Sequence, residues 1–184
     1  MSLRPVRIYG DPVLRTRAAD VREFDGSLAQ LVQDLFETMS AYRGVGLAAN
    51  QVGVLQRVLV VDVPAEEEGG APLRLALVNP TVTRRAGTQH AEEGCLSIPG
   101  VWEDVTRAAR IHVEGLDPHG RLVALDATGY AARALQHEID HLDGVLFVDR
   151  LSALKRQFLR RQLDALARGE LPHDYQPPVR EEQR

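Results

Sequence analysis

His137-Glu138-Ile139-Asp140-His141 reads H-E-x-x-H. On a helix, side chains four residues apart share a face, so His137 and His141 can grip one metal ion. Glu138 lies beside them, where a general base is needed for water held at that metal. The pentapeptide therefore predicts a metal hydrolase organised around a helix. A polar helix face carrying two solvated histidines is the competing reading.

A catalytic site needs a third protein ligand and an open coordination position. Zincin-type sites take that ligand from downstream. Here the only downstream histidine is His173, in a proline-containing tail, and no carboxylate follows at the expected spacing. The better candidate lies upstream. Cys95, the only cysteine, sits in Glu93-Gly94-Cys95-Leu96-Ser97-Ile98-Pro99. A thiolate plus two histidines makes a plausible tetrahedral set, with water as the fourth ligand. Gly94 permits an unusual backbone conformation, which would turn the Leu96 amide N–H toward a ligand.

The chain has 184 residues and a net charge of −4. That length suits one domain with a proper core. The charge gives no reason to expect direct nucleic-acid binding. No apolar run approaches the length of a membrane span. The N-terminal stretch lacks the apolar core of a secretory signal, so a cytoplasmic location is expected. A single cysteine excludes an internal disulfide.

Around the metal helix the order of elements reads as α+β. Residues 1–26 are irregular. Ser27 and Gln30 have capping-box spacing, and Leu28, Leu31, Val32, Leu35, Phe36 and Met39 recur with helical period. Strands are expected over 58–63, 73–79, 81–85, 111–114 and 121–125, with a hairpin tip at 66–70. The metal helix spans about 130–142 and Gly144 ends it. A third helix runs from a Ser152 cap to about Arg168, with Leu154, Phe158, Leu159, Leu163 and Leu166 as its apolar side. Residues 1–170 are read as a single catalytic domain of antiparallel sheets packed around the metal helix, between an N-terminal and a C-terminal helix. Residues 171–184 are read as a mobile tail.

Gly44-Val45-Gly46-Leu47-Ala48-Ala49-Asn50-Gln51 is small, apolar and glycine-rich, with one polar end. Gln51 admits two readings: a solvated glutamine in a turn, or a carboxamide donor aimed at a developing oxyanion. Together with Glu93-Gly94-Cys95-Leu96-Ser97 and Gln136-His137-Glu138-Ile139-Asp140-His141, this stretch resembles the three signature motifs of the peptide deformylase family, in the family's order. Asp11-Pro12-Val13-Leu14-Arg15 and His141-Leu142-Asp143-Gly144-Val145-Leu146-Phe147 are similar to that family as well, so the resemblance runs from about Val6 to Leu166.

The resemblance implies hydrolytic removal of the formyl group from the N-terminal formyl-methionine of newly synthesised polypeptides, with release of formate. It implies Cys95, His137 and His141 as metal ligands, Glu138 as proton carrier, and Gln51 with the Leu96 amide as oxyanion donors. Fe2+ is the metal it favours, one per chain, with Zn2+, Ni2+ or Co2+ able to replace it. Val45, Tyr130, Ala134 and the His137 ring would line the methionine pocket, beside an Arg133 whose stem packs there with its head in solvent. The peptide would pair as an added strand with Gly44–Gly46 and the stretch near Gly94. Trp102 either covers the cleft rim or is ordinarily half-buried. Asp140 is expected to pair with an arginine, Arg107, and Glu93 to play a similar supporting part. Lys155, Arg156, Arg160 and Arg161 make the last helix basic, which reads either as a ribosome contact or as a solvated face. Two other classes compete: a protease or general amide deacetylase, and a non-enzymatic module with a structural metal.

Overall fold

β-Branched residues dominate Val58–Val63, and they form the strand on which the rest is assembled. In the computed structural model, which describes residues 3–65 and 71–177, this is β2. It pairs antiparallel with β1 (Gly46–Ala48) on one side and β3 (Leu73–Ala86) on the other. β6 (Arg110–Leu116) and β7 (Leu122–Thr128) complete a five-stranded sheet in the order β1-β2-β3-β6-β7. A separate antiparallel hairpin is made by β4 (Gln89–Cys95) and β5 (Ile98–Arg107). Among the described residues, three α-helices accompany the sheets: α1 (Gly26–Ala41), α2 (Gly129–Leu142) and α3 (Ala153–Ala167).

Alternation along β2 divides the core. Val58 and Val60 face Leu28, Leu31, Leu35 and Met39 of α1. Leu59, Val61 and Val63 face Leu135, Ile139 and Leu142 of α2. Period-2 alternation against period-3.6 stripes thus places a helix on each face of the sheet. A third cluster joins α3, through Leu159, Leu163 and Leu166, to Ile98, Val101 and Val105 of β5 and to Phe147. The expected α+β arrangement is present, with α2 central.

Several local expectations are corrected. The strands at 73–79 and 81–85 are one strand, β3, which carries Pro80 through a register shift between Val78 and Thr81. Proline lacks the N–H that an interior ladder needs, and a bulge removes that need. The β4–β5 hairpin was not foreseen. Asp25, not Ser27, caps α1, its carboxylate accepting from the Ser27 and Leu28 amides. Ser152 does cap α3, accepting from Lys155 N at 3.3 Å. On α3, however, Leu154 and Phe158 are 62% and 77% exposed, so its apolar side is narrower than the periodicity suggests. The hairpin tip at 66–70 lies outside the described residues.

Candidate active site

α2 is polar in sequence and buried in place: every residue from Ala132 to Leu142 is buried. Its C-terminal end is tied down from outside. Asn50 Nδ2 donates to the His141 carbonyl, and Arg57 Nη1 donates to Leu142 O at 3.3 Å and to Asp143 at 2.6 Å. A cation and a donor at the negative end of a helix satisfy its terminal carbonyls. Gly144, at φ 74°, then turns the chain away.

Cys95, at the end of β4, meets His137 and His141 on the inner face of α2. Their ligand atoms all lie within 4.8 Å of one another. Cys95 Sγ is 3.2 Å from His141 Nε2, and the two Nε2 atoms are 3.2 Å apart. Tetrahedral ligation with bonds of about 2.0–2.3 Å sets ligand atoms roughly 3.3–3.6 Å apart. The three residues therefore fit a single ion. His137 and Glu138 line the cleft itself, whereas His141 stands behind them, almost fully buried.

Burial opposes a charge on His137, but hydrogen bonds to Cys95 and Glu93 outweigh it and raise its pKa to about 10. Burial, reinforced by His137 and Arg107, drives His141 well below its ordinary value. The two imidazoles are thus pushed in opposite directions, with Cys95 and Glu93 favouring positive charge at His137. Burial pushes the Glu138 carboxyl up to about 7 against the pull of His137 and Arg107. Among the described residues, Glu138 Oε2 and His141 Nδ1 have no hydrogen-bond partner. A Cβ at Gly46 would fall 2.8 Å from Glu138 Cγ and Cδ, so glycine there is what lets β1 approach the carboxylate.

Glu93 holds the histidine. It accepts from His137 Nδ1 at 3.0 Å, from Arg107 Nε and Nη2 at 2.5 and 2.9 Å, and from Arg133 Nη1 at 2.6 Å. Burial alone would raise its pKa, yet the bonds from His137 and Arg107 bring it down to about 2. Arg107 also donates to Asp140 at 2.8 Å, and Arg150 donates to the same carboxylate at 2.6 Å. The expected Asp140–Arg107 pair is therefore present as one link of a longer relay. Arg133 departs from expectation: its head is not in solvent but buried on Glu93 and the Val105 carbonyl. A carboxylate beside two guanidinium groups at this depth is balanced only when all remain.

Gln51, in the 3-10 turn Ala49–Val52, is 1% exposed, which removes the solvated-turn reading. Its Oε1 accepts from Ala48 N at 2.8 Å. Its Nε2 donates to Ser97 Oγ at 3.2 Å and faces Cys95 Sγ at 3.6 Å. The carboxamide is fixed with its N–H side toward the metal trio. Ser97 was not foreseen as the group that orients it.

One cleft of about 830 Å³ gathers these groups. Gly44, Val45 and Gly46 line it on one side, Gly94, Cys95 and Leu96 on another, and Tyr130, Ala134, His137 and Glu138 along α2. Trp102 lies on Gly94 at the edge, 62% exposed, which favours the rim position over ordinary burial. Pro172 and residues 174–177 also border the cleft, and nothing in the motifs signalled them.

Comparison with known proteins converges on one family. The family model for polypeptide deformylase matches residues 3–157. The chain is similar to the peptide deformylase of Alkalilimnicola ehrlichii, 51% identical over 168 residues, covering 91% of this chain and 93% of that protein. Its fold is similar to crystal structures of peptide deformylases from Legionella pneumophila and Thermus thermophilus. Their TM-scores are 0.82 and 0.83, both at 42% identity. The matches cover 92% and 91% of this chain, and 98% and 99% of those chains.

Proposed function

Because the chain belongs to the polypeptide deformylase family and so removes the N-terminal formyl group from new polypeptides, we propose how its own residues divide that work. The observation that carries the proposal is the convergence of Cys95 and His137, which line the cleft, with His141 behind them and the Glu138 carboxyl beside them. A divalent cation held by those three would supply a Lewis acid that makes water nucleophilic near neutral pH.

Glu138 takes the proton from the attacking water as the bond to the formyl carbon forms. It then delivers that proton to the amine nitrogen, which leaves poorly until protonated. Gln51 Nε2 and the Leu96 amide donate to the formyl oxygen as negative charge collects on it. Formate departs carrying the original oxygen and the one from water. Val45, Tyr130, Ala134 and the His137 ring form the apolar surface for the methionine side chain. β1 is an edge strand, and Gly44–Gly46 lead into it along the cleft. That favours binding of the peptide backbone as an added strand beside Gly44–Gly46 and Gly94.

The test is formate release from formyl-Met-Ala-Ser set against acetate release from acetyl-Met-Ala-Ser. Selective deformylation is expected, and turnover of the acetyl peptide at a similar rate would favour a general deacetylase. Glu138→Ala tests the remaining alternative: metal should be retained while formate release vanishes, whereas a purely structural site has no turnover to lose.

Fe2+ is the metal we assign, with Zn2+, Ni2+ or Co2+ as replacements. One thiolate and two imidazoles accommodate each of them. Activity that decays in air and is protected by Ni2+ substitution is expected, and equal air stability of the two forms would remove the iron assignment. We assign the chain to the cytoplasm, and among the described residues no helix is long and apolar enough to cross a membrane. We assign α3 a ribosome contact through exposed Arg156, Arg160 and Arg161. Reversing those three charges should then weaken ribosome co-sedimentation without altering hydrolysis of a short formyl peptide.

A further inference from the structure

We propose that residues 172–177, which follow α3, form the outer wall of the substrate cleft and contact the second and third residues of a formylated peptide. The proposal rests on the deformylase reading and adds where the peptide continues beyond its methionine. Pro172, Asp174, Tyr175, Gln176 and Pro177 border the same cleft as Cys95 and Glu138. The matched family region ends at residue 157, so this wall comes from outside it.

The segment is anchored at both ends of a turn. Pro172 rests on Gly100 at the start of β5, its Cγ 3.0 Å from where a Cβ would stand. Tyr175 is half-buried, and its side chain interacts with that of Tyr42 at the C-terminal cap of α1. Between the anchors, Tyr175 N donates to Pro172 O at 2.9 Å. The wall therefore bridges the hairpin and the first helix, two elements that otherwise face each other across the opening.

The segment borders the cleft and does not fill it. With residues 172–177 in position the cleft measures about 830 Å³, within the roughly 300–1,000 Å³ of sites that enclose small ligands. Along α2, Tyr130 and Ala134 serve the methionine side chain. Beyond that pocket, Pro172, Tyr175 and, from the hairpin, Trp102 offer ring surface to the continuing peptide. Such rings supply contact area with few torsions to freeze, so they bind varied side chains at small entropic cost.

Formate release is measured with formyl-methioninamide and with formyl-Met-Ala-Ser, for the unaltered chain, Tyr175→Ala and Tyr175→Phe. Tyr175→Ala should lower kcat/KM for the tripeptide about tenfold relative to the one-residue substrate, the size of one good interface contact, with the loss appearing in KM. Tyr175→Phe keeps the ring and should recover most of that loss. Equal losses on both substrates, no loss on either, or a lowered KM (the mark of a segment that covers the cleft) would overturn the proposal. Failure of the unaltered chain to release formate from either substrate would overturn the deformylase reading instead.

Discussion

α2 and α3 have nearly equal lengths, 14 and 15 residues, and opposite constructions. α3 buries Leu159, Leu163 and Leu166 and leaves most of its other residues to solvent. α2 is buried from Ala132 to Leu142 although that run contains Arg133, Gln136, His137, Glu138, Asp140 and His141. A surface helix earns its place through an apolar stripe. A buried polar helix also needs polar partners, and α2 finds them for Arg133, His137 and Asp140 in Glu93, Arg107 and Arg150, and for its last carbonyls in Asn50 and Arg57, while Glu138 Oε2 and His141 Nδ1 are left without one among the described residues. The difference separates the two kinds of damage that substitutions should do.

On α2, loss of chemistry should exceed loss of stability. Glu138→Ala should cut kcat by about 10²–10⁴-fold, the usual worth of a positioned acid–base group, while metal content stays near one per chain. Formate release unchanged in that variant would end the proposed role. On α3 the expectation reverses. Leu163→Ala should cost about 2–5 kcal/mol in denaturant unfolding, as core truncations do, with kcat maintained where the protein is folded. Between the two stands Glu93→Gln, which keeps the volume but loosens the grip on His137. Metal affinity should fall about 10–100-fold in chelator competition. An unchanged affinity would show that the relay does not orient the ligand. Smallest of all is Phe158→Ser on the open side of α3, expected to move stability by no more than about 0.5 kcal/mol. A larger loss would mean that Phe158 is covered by something in solution.

The same contrast explains what could be read from the chain alone. α1 and β2 announce themselves because burial on one face imposes a period on the sequence. α3 was legible for the same reason, yet its pattern ran on into Leu154 and Phe158, which the fold leaves outside. α2 was legible through its ligand spacing, and its apolar stripe of Ala132, Leu135, Ile139 and Leu142 lies on the face turned to the sheet. The β4–β5 hairpin was not legible: Glu92, Glu93, Gly94 and Pro99 interrupt any alternation, and Glu93 is buried only because Arg107, Arg133 and His137 converge on it from elsewhere. Arg107 was expected beside Asp140, but a pairwise guess could not reveal that it joins Asp140 to Glu93. Gln51 stayed undecided in sequence because its orientation depends on the Ser97 hydroxyl and the Ala48 amide, which only the folded chain brings to it. Residues 172–177 carried no motif, and their place follows from where α3 ends.

Asn50 and Gln51 are consecutive, and they reach in different directions. Asn50 grips the carbonyl of His141 at the end of the metal helix, while Gln51 presents its amide to Cys95 at the end of the hairpin. A single four-residue turn therefore acts as a spacer gauge between two elements distant in the sequence. The separation between helix and hairpin, and with it the aim of the donor, is set by one short rigid piece. Loosening that turn would therefore disturb the metal helix and the donor together.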